Sequence, residues 1–211
     1  MAAAPFGRGR VRRLFGLDRS TPPPPSTRRG EPLRPWTIPN AVGYLRLAAL
    51  PVFLVLAYST DDGTSVLSAM VYWAIAAGDY LDGILARITG QYSRMGALLD
   101  PLVDRLTILA GAIVCWSFDL LPHWALALLA LRELMMLLLA QYGLRHGVDI
   151  EVNWPGRISV FPIMGGIFLA LLAPGWVASA LLIWGLAMAI IATVLYARTG
   201  IRAVRGTRAA S

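Results

Sequence analysis

The chain has 211 residues, 57% of them hydrophobic, and its mean hydropathy is +0.61, which is too apolar for an ordinary soluble domain. All 19 basic residues are arginine and the formal net charge is +7, but nucleic-acid binding is not favoured, because the excess charge lies in tails and loops that flank apolar segments. The single cysteine, Cys115, lies in an apolar run and excludes an intrachain disulfide. We therefore predict one integral membrane domain.

The first 35 residues are predicted to form a basic, proline-rich cytosolic tail. Their sequence "TPPPPSTRRGEPLRP" contains a run of four prolines, which cannot be helical and has little apolar surface to bury. The preceding "RGRVRRLFGL" is either a short amphipathic piece on anionic lipid or a solvated charged tail. No signal peptide is visible in the first 40 residues.

Six apolar segments follow the tail, and a spanning helix needs roughly 20 apolar residues. The fold class that we predict is an all-α integral membrane protein with six transmembrane helices in a domain covering residues 36–198. A basic cytosolic tail, 199–211, follows this domain. The segments are 41–59, 64–88, 96–117, 122–143, 157–173 and 176–197.

The charges in the loops predict the topology. Every arginine between the segments falls on the side that also receives both termini, whereas "STDDGT", "FDLLPH" and "APGW" on the other side contain none. By the positive-inside rule both termini are cytosolic. The composition, with arginine and no lysine, suggests a bacterium, so we expect a multi-pass protein of the bacterial cell membrane whose active site faces the cytoplasm.

Four aspartates lie at the cytosolic ends of the second and third segments. Asp79 and Asp82 are three residues apart, and Asp100 and Asp104 are four apart, so each pair shares one helical face. The short link between the segments makes the two helices antiparallel neighbours, and the four carboxylates can converge. Carboxylates within a membrane are costly, and oxygen-only ligands suit Mg2+ or Mn2+. We predict a site for divalent cations, with two ions expected.

Further charges indicate a polar cavity, although each has a structural alternative. Arg132 and Glu133 lie near mid-bilayer and are expected to face the bundle interior, where they form part of the cavity or an internal ion pair that holds helices together. Arg46 and Arg157 lie near the cytosolic face, where each binds an anionic group or extends to lipid phosphates. Arg87 is an anion-binding group or a salt-bridge partner of the aspartates.

Residues 79–104 read D-x2-D-G-x2-A-R-x8-G-x3-D-x3-D without exception. This pattern resembles the signature of the CDP-alcohol phosphatidyltransferase family, and the six-span layout resembles that family over roughly residues 36–198. The resemblance implies transfer of a phosphatidyl group from CDP-diacylglycerol to an alcohol, with release of CMP. It implies that Asp79, Asp82, Asp100 and Asp104 bind the metals and that Asp104 is also the general base.

The resemblance also implies roles for other residues and for a partner chain. The residues that would shape the nucleotide and pyrophosphate site are Gly83, Ala86, Arg87, Gly96 and Asn40. The arginines that would bind the acceptor or its phosphate are Arg46, Arg94, Arg132 and Arg157. Membrane lipids are expected around the chain, and a homodimer is expected because family members commonly pair.

Four stretches bear on the acceptor. "TIPNAVGYLRLAALPVF" (37–53) is similar to the glycerophosphate and cardiolipin branches, and "RELMMLLL" resembles the phosphatidylglycerophosphate synthases. "NWPGRISV" departs from the W-x-G-K-x-K-T segment of those synthases, because Ser159 stands where a lysine would be. "SRMGALLDPLVDRL" resembles the cardiolipin synthases, which accept phosphatidylglycerol. Glycerol 3-phosphate is narrowly preferred, phosphatidylglycerol is close behind, and inositol phosphate and serine are less supported.

Two functions of other classes are less well supported by the sequence. Carboxylates in a membrane would suit a transporter or channel for divalent cations, but apart from Arg132 and Glu133 no charged residue continues the path to the arginine-free face. A non-catalytic scaffold with a dead site is disfavoured because all eight signature residues are present.

Overall fold

The structure is a computed structural model that describes residues 34–145 and 158–209. All regular structure in these residues is helical, in agreement with the predicted all-α class. The helices are α1 Ile38–Tyr58, α2 Val66–Thr89, α3 Arg94–Ser117, α4 His123–Arg145, α5 Val160–Leu172 and α6 Trp176–Ala209. Their ends lie within three residues of those of the six predicted segments, except that α6 extends 12 residues further. Nearly all of the predicted N-terminal tail, and Arg157, lie outside the described residues.

Two helical stretches in the described part of the chain are long and apolar enough to cross a membrane, Ile38–Tyr58 and Trp176–Leu195. The first has 21 residues, which at 1.5 Å per residue corresponds to about 32 Å, close to the thickness of the hydrocarbon core. The aspartates of α2 and α3 and the charged pair of α4 lower the hydropathy of those helices. The backbone of α6 continues through residues 199–209, which the sequence assigned to a tail.

The chain divides into two compact units, and the boundary falls within α1, α2 and α3. The first unit contains the described residues through Val52 together with Trp73–Thr107. This unit contains the halves of α1, α2 and α3 that the sequence predicts to lie on the cytosolic side. It therefore contains all four aspartates. In its interior a Cβ added to Gly43 would lie 2.5 Å from Cδ2 of Leu99, so a glycine on α1 permits close contact with α3.

The second unit contains Phe53–Tyr72 and the described residues from Ile108 onward. Its core includes the rings of Phe53 and Tyr72, which are fully buried with centroids 5.3 Å apart. The helices α5 and α6 pack together, and a Cβ on Gly166 would lie 2.8 Å from the backbone nitrogen of Leu182. Glycine at this contact brings the two backbones together, as is common between membrane helices.

Candidate active site

The four aspartates meet in the first unit, as the sequence predicted. Asp79 and Asp82 project from α2, Asp100 and Asp104 project from α3, and the carboxylates lie within electrostatic range of one another. We call these four residues the aspartate cluster. Its members differ in exposure: the side chain of Asp82 is 4% exposed, that of Asp104 is 32% exposed and that of Asp79 is 49% exposed. The cluster therefore extends from the protein interior to the surface of the unit.

The guanidinium of Arg46, from α1, lies among these carboxylates. Its NH2 donates to Oδ1 of Asp104 at 2.5 Å, and its NH1 donates to Oδ2 of Asp82 at 3.1 Å. NH1 also lies 3.6 Å from Oδ1 of Asp79. With a side chain only 3% exposed, Arg46 does not extend to lipid phosphates. It is the ion-pair partner of three of the four aspartates.

Two residues that the sequence did not single out hold the Arg46 side chain in place. Its Nε donates to the backbone carbonyl of Ile75 at 2.8 Å. A Cβ on Gly78 would lie 2.7 Å from Cδ of Arg46 and 2.9 Å from its Cγ, so the missing side chain of Gly78 leaves room for the arginine. The only sequence signal for this contact is a glycine inside an apolar helix, one residue before Asp79.

The fit of a divalent cation rests on the donor set. Four carboxylates, three of them ion-paired to Arg46, offer the oxygen ligands that Mg2+ and Mn2+ prefer. In the part of the chain that the structure describes, no three Asp, Glu, His or Cys side chains are arranged ready to hold a metal ion. The oxygens of Asp79, Asp82 and Asp104 turn instead towards the Arg46 guanidinium. The chemistry of the site thus fits a hard cation, and its present geometry fits the arginine.

Asn40 and Gly96, which the resemblance assigned to the nucleotide site, take part in a polar network with Ser93. The Ser93 hydroxyl donates to Oδ1 of Asn40 at 2.9 Å and accepts from the Gly96 backbone nitrogen at 3.0 Å. This contact to Gly96 caps the first turn of α3. The Asn40 amide nitrogen donates to the carbonyls of Arg34 and Pro35. Asn40 is 2% exposed and Ser93 is 5% exposed, so the network is buried.

The other signature residues line α2 and the start of α3. Gly83 lies beside Arg87, whose NH1 is 3.5 Å from the point that a Cβ on Gly83 would occupy. The side chains of Ala86, Arg87 and Arg94 are partly exposed. A ligand that reaches this side of α2 would therefore contact the small residue Gly83 and the Arg87 guanidinium together.

Arg132 and Glu133 belong to the second unit. The Arg132 NH1 is paired with Oε1 of Glu133, and its Nε donates to the hydroxyl of Thr193 on α6 at 3.4 Å. Glu133 is 2% exposed. The two side chains form an ion pair and are largely buried, and the acceptor role predicted for Arg132 stays a prediction.

Comparison with known proteins decides the family. The model of the family described as CDP-alcohol phosphatidyltransferase matches residues 36–194, most of the chain. The chain is a member of the CDP-alcohol phosphatidyltransferase family. It is 37% identical over 171 residues to a cardiolipin synthase (CMP-forming) of Streptomyces coelicolor, covering 78% of this chain and 80% of that relative.

Two proteins of Mycobacterium tuberculosis represent two branches of this family. A putative cardiolipin synthase is 34% identical over 177 residues, covering 76% of this chain and 81% of the relative. A probable phosphatidylglycerophosphate synthase is 34% identical over 180 residues, covering 80% of this chain and 84% of the relative. The family resemblance inferred from the eight signature residues is therefore confirmed, and relatives of this phosphatidyltransferase carry the names of both acceptor branches.

Proposed function

We propose that the protein transfers the phosphatidyl group of CDP-diacylglycerol to phosphatidylglycerol, forming cardiolipin and releasing CMP. The observation that carries this proposal is the convergence of the four signature aspartates in one unit of a chain that belongs to the family. The reaction needs an anionic diphosphate and a lipid acceptor at the same place. A cluster of carboxylates at the cytosolic ends of membrane helices suits that requirement when cations are present.

The residues take the following roles in this proposal. The acceptor hydroxyl oxygen forms a bond to the phosphorus that carries diacylglycerol, and the bond from that phosphorus to the CMP oxygen breaks. Asp104 takes the hydroxyl proton, a role that its 32% exposure permits because a substrate can reach it. Arg87, with Gly83 beside it, binds the phosphate oxygens of the nucleotide.

Divalent cations complete the site in this proposal. Asp79, Asp82, Asp100 and Asp104 would hold Mg2+ or Mn2+, two ions being expected. When bound, these ions polarise the diphosphate and stabilise the charge that develops on CMP. The metal dependence rests on the chemistry of the donor set, which consists of carboxylate oxygens.

The membrane arrangement is also part of the proposal. We infer six spanning helices, both termini in the cytosol and an active site that opens to the cytoplasm of a bacterial cell. The positions of the six helices support this inference. Two of these helices contain stretches that are long and apolar enough to cross a membrane. The arginine-free loops after α1, α3 and α5 support the orientation. A homodimer remains a prediction from the family resemblance.

The choice of acceptor rests on Ser159 and on the relatives. Ser159, immediately before α5, is fully buried and stands where the phosphatidylglycerophosphate synthases carry a lysine. A buried serine supplies no positive charge for the doubly charged glycerol 3-phosphate, whereas phosphatidylglycerol carries one negative charge. The 37% identity to a cardiolipin synthase favours the same acceptor.

Glycerol 3-phosphate, which the sequence narrowly preferred, is the second candidate. It is favoured by the 34% identity to a probable phosphatidylglycerophosphate synthase, which covers the chain as fully as the relatives of the cardiolipin branch. The proposal for the reaction type is the same for either acceptor.

Acceptor-dependent release of CMP tests the proposal. Purified protein in detergent with Mn2+ or Mg2+ and CDP-diacylglycerol would be offered phosphatidylglycerol, glycerol 3-phosphate, inositol phosphate and serine in parallel. We expect release with phosphatidylglycerol, loss of release in excess chelator, and no release by an Asp82→Asn variant. Release with glycerol 3-phosphate alone would replace the acceptor and keep the reaction. No release from folded protein with any acceptor would overturn the enzymatic function.

A further inference from the structure

The Arg46 guanidinium lies within the aspartate cluster, next to the carboxylates of Asp79, Asp82 and Asp104. We propose that Arg46 is an internal counter-cation that occupies the cluster in the metal-free protein and is displaced from it when divalent cations bind. This inference rests on the proposed metal dependence and goes beyond it, because it gives a residue of α1 control over the affinity of the site for metal.

The first support is that the position of Arg46 is built into the fold. The side chain is 3% exposed and its Nε donates to the Ile75 carbonyl at 2.8 Å. Gly78 provides the space through which the side chain passes, since a Cβ there would lie 2.7 Å from Cδ of Arg46. An arginine that merely balanced charge at a surface would need neither contact. The fold therefore delivers the guanidinium to the carboxylates.

The second support is that Arg46 contacts carboxylate oxygens of residues that would hold the metal in the proposed function. Its terminal nitrogens lie 2.5 Å from Asp104 Oδ1 and 3.1 Å from Asp82 Oδ2. Carboxylate oxygens bind Mg2+ at about 2.0–2.1 Å, so an ion held by these oxygens would lie close to the guanidinium. Two cations at that separation repel each other strongly at a poorly solvated site. Metal and arginine are therefore expected to compete.

Competition has a consequence for the reaction. Oδ1 of Asp104 is occupied by the Arg46 guanidinium, and an oxygen so engaged is a poor acceptor for the proton of an alcohol. Displacement of the guanidinium by metal would release the Asp104 carboxylate from the arginine, and its oxygen that does not hold an ion could then accept the proton. Proton transfer would then be possible only after the site is loaded, which protects the diphosphate from attack in an incomplete site. The Nε contact to Ile75 keeps the side chain nearby, so that only its terminal nitrogens change partners.

The test compares metal binding and stability of purified variants, and does not require turnover. Thermal midpoints in detergent would be measured in excess chelator and across a Mn2+ titration for the wild type and for Arg46→Met. In chelator we expect Arg46→Met to melt at a lower temperature, by about 10 °C, because buried carboxylates lose their partner. We expect its half-saturating Mn2+ concentration to fall at least about tenfold, since a competitor is gone.

Gly78→Ala is the second variant and needs no change of charge. Alanine is a better helix former than glycine, so local propensity alone would raise the thermal midpoint. If the new Cβ displaces the Arg46 side chain, we expect the opposite result in chelator, namely a lower thermal midpoint. We also expect tighter Mn2+ binding. Arg105→Met is the matched control, because it removes one positive charge at the residue after Asp104. Its Mn2+ affinity is expected to rise by much less than that of Arg46→Met.

Two outcomes would overturn the inference, and they are distinguishable. If Mn2+ stabilises the wild type but binds Arg46→Met and Gly78→Ala equally well or more weakly, Arg46 organises the metal site and does not compete for it; the proposed function then stands. If Arg46→Met fails to fold, the Gly78→Ala titration decides by the same criterion. If Mn2+ stabilises neither the wild type nor any variant, the proposed metal dependence is wrong and the inference is wrong with it.

Discussion

The hydroxyl of Ser93 donates to the side-chain oxygen of Asn40 at 2.9 Å, although 53 residues separate them in the chain. This contact joins the first turn of α1 to the N-terminus of α3. A Cβ on Gly96 would lie 2.8 Å from the same Asn40 oxygen, so glycine at this signature position leaves room for the asparagine. Asn40 and Gly96 therefore have a structural role beside any contact with nucleotide.

We expect Asn40→Ala and Ser93→Ala each to lower the free energy of unfolding by about 1–3 kcal/mol, because each leaves buried polar groups without a partner. Since they remove one shared contact, the double variant should lose less than the sum. Chemical or thermal denaturation in detergent measures both effects. Gln91→Ala is the control: its side chain accepts one exposed hydrogen bond from Ile38, and a change within about 0.5 kcal/mol is expected.

The KM for CDP-diacylglycerol separates the structural role of this network from a direct role in nucleotide binding. If Asn40 acts through Ser93, the Ser93→Ala variant should reproduce any change in KM that Asn40→Ala shows. A large increase in KM in Asn40→Ala with normal stability and a normal Ser93→Ala variant would instead place Asn40 against the nucleotide.

The aspartate cluster predicts two classes of variant. Asp79→Asn, Asp82→Asn and Asp100→Asn should abolish CMP release and also abolish stabilisation by Mn2+, because each removes a proposed ligand. Asp104→Asn should reduce release by about 10²–10⁴-fold, the usual contribution of a general base, while Mn2+ stabilisation is better preserved. Asp61→Asn, in the exposed loop after α1, is the matched control and should be unaffected. Normal release by any of the four cluster variants would contradict the mechanism.

The ion pair of Arg132 and Glu133 predicts a non-additive loss of stability. Glu133→Gln should cost about 3–5 kcal/mol, because it leaves the Arg132 charge buried without its partner. The double variant Arg132→Met/Glu133→Gln should be more stable than Glu133→Gln alone, as thermal midpoints would register. Thr193→Val, which removes the 3.4 Å contact to Arg132 Nε and the hydroxyl's own hydrogen bond to the Ala189 carbonyl, should cost less than Glu133→Gln.

The acceptor dependence of the same double variant tests the other interpretation of Arg132. If the pair only holds the second unit together, the KM for the acceptor should not change once the protein is folded. A rise in that KM alone, with normal KM for CDP-diacylglycerol, would assign Arg132 to the acceptor site that the sequence predicted.

The predicted topology can be read from single cysteines. Native Cys115 is fully buried, so we expect the wild type to remain unlabelled by a membrane-impermeant maleimide. Ser59→Cys, exposed after α1, should be labelled in intact cells, whereas Gln91→Cys, exposed between α2 and α3, should be labelled only after permeabilisation. The reverse pattern would show that the arginine-rich side is external.

The sequence by itself determined the helices and the family. Apolar segments bounded by glycine, proline and charged residues located the six helices that the structure describes in residues 34–145 and 158–209. The spacing of Asp79 and Asp82, and of Asp100 and Asp104, placed each pair on one face of its own helix. The eight signature positions then identified the family, since their number makes a chance match unlikely.

Only the tertiary structure decided which helix faces meet. Periodicity relates residues of one helix, but Arg46 reaches Asp82 and Asp104 across 36 and 58 residues of chain. From the sequence, Arg46 was predicted to bind the acceptor or to contact lipid. Asn40 was predicted to belong to the nucleotide site. Packing placed the first in the aspartate cluster and the second on Ser93, because the small residues Gly78 and Gly96 let those side chains approach the neighbouring helix. The sequence shows where a glycine leaves space on a helix, but only the packing of the helices shows which side chain fills that space.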